Sequence, residues 1–118
     1  MSDYILYHKP NCSTSLATLK LIKEQGIDPE LRLYLEKPPT QKELSELMKK
    51  LGCKPIELVR TKESLYKENY KDMKLTKKDW LRILSKNPIL IERPILIKGD
   101  KAILGRPPER VLELISPA

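Results

Sequence analysis

Residues 4–7, YILY, are short, apolar and β-rich, and the chain then runs through a Pro10–Asn11 turn directly into a helical pattern, Leu16, Leu19 and Ile22, that stops at Gly26. A strand followed this closely by a helix has few continuations. The helix must cover one face of a sheet, and the next strand is then expected parallel to the first. Leu31-Arg32-Leu33-Tyr34-Leu35 alternates as such a strand should, so residues 1–35 are predicted to form a βαβ unit.

Pro38-Pro39 ends that unit, and Thr40 with Glu43 three residues later forms a capping box for a helix whose apolar face is Leu44, Leu47, Met48 and Leu51, closed by Gly52. Ile56, Leu58 and Val59 suggest a short helix, Tyr66 to Tyr70 another, and Thr76 caps a clearer one through Trp80, Ile83 and Leu84. After Asn87-Pro88, the runs Pro94–Ile97 and Lys101–Leu104 are joined by Lys98-Gly99-Asp100, the signature of an antiparallel hairpin. A last helix starts at Pro107-Pro108 and runs through Val111, Leu112 and Ile115. The order β-α-β, then helices, then β-β-α predicts an α/β fold: a thioredoxin-like mixed sheet with a helical insertion in the middle. At 118 residues this is one domain, with the thioredoxin-like part at about 1–38 and 88–118 and the insertion at about 39–87.

Apolar residues make up 40% and charged residues 33%, a composition that can bury a core under a strongly solvated surface. The opening MSDYILYHK has neither a long apolar run nor a cleavage pattern, and no later segment is long enough to span a bilayer, so the chain is expected in the cytosol and off the membrane. In that reducing compartment Cys12 and Cys53 are expected as free thiols. The net charge of +7 is scattered: Lys49-Lys50 and Lys77-Lys78 lie near Glu46 and Asp79, as on solvated helix faces, so nucleic acid is not the expected partner. With one histidine and two distant cysteines there is no metal-ligand cluster, and no metal is expected.

The stretch HKPNCSTS, residues 8–15, carries the chemistry. A cysteine between a strand end and the first turn of a helix faces backbone N–H groups that have no intrahelical acceptor, and this favours the thiolate. Ser13, Thr14 and Ser15 add hydroxyls and further N–H donors, a nest suited to a sulfur anion or a bound oxyanion. A space-filling cysteine would not ordinarily sit among Asn, Ser, Thr and Ser. Cys12-Ser13-Thr14-Ser15 is Cys-x-x-Ser, so the loop cannot run a dithiol cycle, and an external thiol such as glutathione, or a distant cysteine, must resolve any adduct. Cys53, in LGCKPIEL, is the one distant cysteine and reads as a small residue packed under a loop. His8, four residues before Cys12, is placed to return across the loop and stabilise a thiolate electrostatically.

HKPNCSTS, LYLEKPPTQKEL, ELVRTKE, NPILIERPILI and GRPPE, in that order and over essentially the whole chain, resemble the glutaredoxin-coupled arsenate reductase family. The resemblance implies a thioredoxin-like fold in which Cys12 attacks arsenate beside His8. It further implies that Arg60, Arg93 and Arg106 hold the oxyanion and that the Arg93–Pro94 peptide bond is cis. Six of the 23 basic residues are arginine, and these three flank turn or strand boundaries, where a planar fork can be aimed at a tetrahedral anion. Arg32, Arg82 and Arg110 are read as surface residues. The family usually has an arginine directly after the position of Ser15; here it is Leu16, which removes a cation from the first helical turn.

The expected function is therefore arsenate reduction to arsenite by a monomeric thiol oxidoreductase. Cys12 forms the adduct, glutathione serves as co-substrate, glutaredoxin recycles the enzyme, and no cofactor is bound. Two alternatives belong to different classes. One is a non-catalytic Spx-like regulator that binds RNA polymerase; that branch usually carries Cys-x-x-Cys, and Ser15 argues against it. The other is a general glutathione-dependent thiol oxidoreductase, against which the lack of an aromatic residue beside Cys12 weighs.

Overall fold

A computed structural model describes residues 3–115. Residues 1–2 and 116–118, the ends of the single domain expected from the sequence, lie outside the described residues. Pro38–Glu92 forms one compact unit, and the described residues on either side of it form the other.

The flanking unit is a four-stranded mixed sheet in the order β2 (Glu30–Arg32), β1 (Tyr4–Tyr7), β3 (Ile95–Lys98), β4 (Lys101–Leu104). Strand β1 (Tyr4–Tyr7) passes into helix α1 (Ser13–Glu24) and returns as β2 (Glu30–Arg32). β2 is parallel to β1, with Leu6 opposite Leu31. Strands β3 (Ile95–Lys98) and β4 (Lys101–Leu104) form the expected hairpin, and β3 runs antiparallel to β1 with Leu6 opposite Leu96. Gly99 turns that hairpin at φ +59°, a backbone state that a side chain would disfavour. Leu6, Ile22, Leu96, Val111 and Ile115 form the buried core between the sheet and the helices, with Leu19 partly buried against it; of the predicted apolar face of α1, Ile22 and Leu19 thus cover the core, whereas Leu16 is exposed and Ser15 and Thr18 take the buried positions of the first turns. The thioredoxin-like arrangement read from the order of elements is what the chain adopts.

Two elements differ from the sequence reading. The predicted strand 31–35 stops at Arg32, because the backbone then turns: Leu33 carbonyl accepts hydrogen bonds from Glu36 N–H at 3.0 Å and Lys37 N–H at 2.9 Å. Leu31 and Leu35 are consequently exposed, while Tyr34 between them is fully buried. The last helix begins as a 3-10 turn, Pro108–Val111, and only then becomes α5 (Leu112–Ile115).

The Pro38–Glu92 unit is helical. Helix α2 (Gln41–Leu51) has the predicted capping box: Thr40 Oγ1 accepts from Glu43 N–H at 3.1 Å, and Glu43 Oε1 accepts from Thr40 N–H at 2.9 Å. Helix α4 (Lys77–Lys86) repeats the device with Thr76 and Asp79. Between them lie a 3-10 turn, Pro55–Leu58, and the short α3 (Ser64–Asn69). The buried apolar residues of this unit include Leu44, Leu47, Met48, Leu58, Trp80, Ile83 and Leu84, and the ring of Tyr66 stacks on Trp80 at 6.3 Å. Among the described residues no helix is long and apolar enough to cross a membrane.

Candidate active site

Cys12 is the residue that precedes the first turn of α1, with extended backbone angles (φ −106°, ψ 123°), and its carbonyl accepts the first helical bond from Leu16 N–H at 2.9 Å. The loop before it is held by local bonds. Cys12 N–H donates to Lys9 carbonyl at 3.1 Å, and the buried Ser15 hydroxyl accepts from Lys9 N–H at 3.4 Å. The sulfur therefore sits where the start of the helix leaves donors unsatisfied. Partial burial pushes the thiol pKa up. Hydrogen bonds from Ser15 N–H, from the Arg93 guanidinium and from Thr14 N–H, together with the Arg93 charge, more than reverse this and bring it down to about 7.

Arg93 immediately precedes Pro94, and the bond between them is cis, as is Arg106–Pro107. Its guanidinium is deeply buried, with 7% of the residue exposed, and Nε and Nη1 have no hydrogen-bond partner among the described residues. Burial works against its charge, but the contacts with Cys12 and Tyr34 leave its pKa raised. Buried unpaired donors are costly, so these two nitrogens suit an acceptor such as an anion or a water. Arg106 holds the main chain at the same place, its Nε donating to the Arg93 carbonyl at 2.6 Å. Gly105 allows this close approach. A Cβ there would lie 3.0 Å from Pro94 Cγ and 3.2 Å from Thr18 Cγ2 of α1, while Gly105 N–H donates to Pro94 carbonyl at 2.8 Å.

Comparison with known proteins decides the family at this point: the sequence model of the ArsC family matches residues 7–114. The chain belongs to the ArsC family. It is 45% identical over 113 residues to the arsenate reductase of Haemophilus influenzae, covering 94% of this chain and 97% of that one. It is 47% identical over 112 residues to YfgD of Escherichia coli K12, which is named an uncharacterized protein, covering 93% and 94%. Among solved structures, the arsenate reductase of Vibrio cholerae superposes with a TM-score of 0.89 at 43% identity, over 93% of this chain and 95% of that one.

Within this ArsC-family chain the sequence-predicted residues fall into two groups. The flanking unit gathers Cys12, the N–H groups of Thr14 and Ser15, Arg93 and Arg106; exposed Ser13 begins α1 beside them. Arg60 belongs to the Pro38–Glu92 unit and is ion-paired there, Nε to Glu63 at 3.5 Å and Nη1 to Glu92 at 3.6 Å. His8 is buried, and burial lowers its pKa, so it is neutral at pH 7 rather than the cation expected from its spacing. The groups that bring the thiol down are Ser15, Arg93 and Thr14. Cys53 behaves oppositely to Cys12: burial first, and then the charge of Glu57, push its thiol up. Among the described residues no group of three His, Cys, Asp or Glu is placed to hold a metal ion.

Tyr34, Thr18 and Gly105 were missed from the sequence. The Gly105-Arg106-Pro107 run was a signal for Gly105, because a glycine beside a site arginine suggests close backbone approach. Tyr34 carried no signal, hidden in an alternation that read as strand. These placements lead to an expected outcome: iodoacetamide alkylation of Cys12, followed by peptide mass spectrometry across pH, should show a midpoint near the value of about 7. Arg93→Ala should move that midpoint up, His8→Ala should move it little, and Cys53 should react slowly until well above neutrality. A midpoint in the ordinary thiol range for Cys12 would remove the helix-terminus argument.

Proposed function

We propose that the chain reduces arsenate to arsenite through Cys12, with glutathione as co-substrate and glutaredoxin as the recycling partner. The observation that carries this reading is a cysteine at the head of α1, its thiol pKa brought down to about 7, beside the buried guanidinium of Arg93, whose Nε and Nη1 lack acceptors among the described residues. The named arsenate reductases to which the chain is similar supply the substrate.

On this reading the Cys12 thiolate forms a bond to arsenic and an arsenate oxygen leaves as water after protonation. The anionic oxygens are held by Arg93, by N–H groups at the start of α1 from Ser13 to Ser15, and by Arg106. Glutathione thiolate then attacks the Cys12 sulfur. The S–As bonding pair goes to arsenic, which departs as arsenite, and a Cys12–glutathione disulfide remains. A glutaredoxin thiol takes the glutathionyl group and frees Cys12. His8 enters as a neutral imidazole. Arg60, which the family resemblance also assigns to the anion, is tested separately below.

Turnover of arsenate by the purified protein with glutathione and glutaredoxin is the direct test. Cys12→Ser should abolish it, whereas Cys53→Ser should retain most of it, since the resolving thiol is external. Equal loss in the two variants would replace the glutathione route with an intramolecular disulfide.

Sulfate at high concentration should compete with arsenate, because it offers the same charge and tetrahedral shape. That competition should be lost in Arg93→Ala and in Arg60→Ala. Inhibition unchanged in Arg60→Ala would take Arg60 out of the site, and unchanged in both would remove the arginine site altogether.

Leu16 lies in the first turn of α1 and is 48% exposed, so a longer cationic side chain fits there without displacing the core. An exposed cationic side chain paired with an anion contributes roughly 0.2–1 kcal/mol. Leu16→Arg should therefore lower the arsenate KM by roughly two- to fivefold with kcat nearly unchanged, as for binding shared by ground and transition states. A change in kcat with a constant KM would show that position 16 acts on the chemical step instead.

A further inference from the structure

Gly105 directly follows β4 and is buried, and its φ lies outside the left-handed region that Gly26, Gly52 and Gly99 occupy. A left-handed turn is therefore not what requires glycine here; close approach is. A Cβ at this position would stand 3.0 Å from Pro94 Cγ, 3.2 Å from Thr18 Cγ2 and 3.3 Å from Thr18 Oγ1. None of these atoms is the free end of a flexible side chain. The Pro94 ring has no rotamer to change. Its carbonyl accepts from Gly105 N–H at 2.8 Å, and the residue before it is held by Arg106, whose Nε donates to Arg93 carbonyl at 2.6 Å. Thr18 is branched at Cβ and fully buried, and its hydroxyl donates to Thr14 carbonyl at 2.8 Å, a bond that fixes the side chain with its methyl against Gly105.

We propose that Gly105 is a positioning residue for the site at the head of α1: without a side chain, it seats the segment after β4 directly on Pro94 and Thr18, and so holds the Arg93 main chain and the first turn of α1 in a fixed relation. Its part in turnover rests on the reading of Cys12 and Arg93 given under Proposed function. Two paths lead from this seat to Cys12. One runs through Pro94 to Arg93, whose carbonyl is bonded to the side chain of Arg106, the residue after Gly105. The other runs along α1, from the Thr18 hydroxyl to Thr14, which lies in the first turn after Cys12. An added Cβ forces its neighbours apart by a few tenths of an ångström. One path or the other must take this up, because close-packed buried groups transmit a displacement rather than absorb it. Arg93 and Thr14 N–H, where the two paths end, are both groups that act on the Cys12 sulfur.

The test is Gly105→Ala, read first by the pH profile of Cys12 alkylation with iodoacetamide, which requires no arsenate turnover. The midpoint should rise by about half a pH unit as Arg93 and the first turn of α1 move off the sulfur, and the arsenate KM should rise roughly three- to tenfold with a smaller change in kcat. Thr18→Ser removes the methyl that faces Gly105 and keeps the hydroxyl for Thr14. In that background Gly105→Ala should shift the midpoint by at most about half as much, since the vacated space takes the new Cβ. Should Gly105→Ala alone not fold, the double variant should fold and should alkylate as Thr18→Ser does. A loss of packing without positioning would lower the thermal midpoint and leave the alkylation profile where it was. An unchanged or lowered alkylation midpoint in folded Gly105→Ala overturns the proposal, as do equal shifts in the two backgrounds or a double variant that folds no better than Gly105→Ala. If the native chain does not turn over arsenate while the midpoint follows these shifts, the substrate reading fails and the positioning role is upheld.

Discussion

The amide N–H groups at the start of α1 have no helical acceptor, and the Cys12 sulfur is what they meet. Much of the flanking unit serves this encounter. β1 delivers the chain to the loop, and the buried Ser15 hydroxyl ties the helix start back to Lys9, so the loop cannot drift from the N–H groups that act on the sulfur. Thr18, one turn further on, is buried against Gly105, which draws the segment after β4 onto the same end of the helix. The sheet supplies the rigidity behind it, with Leu6 paired between β2 and β3 at the centre of the core. A reactive thiol here follows from backbone geometry more than from any one side chain.

Charge near the thiol is managed by burial and pairing rather than by number. The chain carries 23 basic residues, yet the cation that acts on Cys12 is the buried Arg93. Low local dielectric strengthens its effect, and the absence of hydrogen-bond partners at Nε and Nη1 among the described residues leaves it able to bind an anion. Arg60 shows the contrast, since within its own unit it already faces Glu63 and Glu92. The two cysteines differ for the same kind of reason. Both are partly buried, but Cys12 faces donors and a cation, whereas Cys53 lies near the carboxylate of Glu57, and their thiols move in opposite directions.

Legibility in the sequence followed the range of the interaction. The capping boxes at Thr40 and Thr76, the helix stops at Gly26 and Gly52 and the Gly99 hairpin all depend on residues within a few positions of one another, and each was readable. The placement of Cys12 at the head of α1 was equally local. The strand predicted at 31–35 failed because an alternating pattern says which residues share a face, not whether hydrogen bonds will continue. Leu33 instead accepts bonds from Glu36 and Lys37. That misreading also concealed the burial of Tyr34, whose ring stacks on Tyr7, far away along the chain. His8 was legible in position but not in charge, because its protonation depends on how deeply the rest of the fold buries it.

By itself, then, the sequence determined the order of the elements, their caps and turns, and the presence of a cysteine at a helix start, since these arise from steric and hydrogen-bonding preferences among near neighbours. The motifs distributed along it were enough to indicate the ArsC family, which residues 7–114 match. Only the tertiary structure decided which arginine is buried beside the thiol and that burial lowers the pKa of His8. Those outcomes are set by desolvation and by interactions between segments as distant as residues 12 and 93, and such interactions exist only once the sheet has brought the segments together.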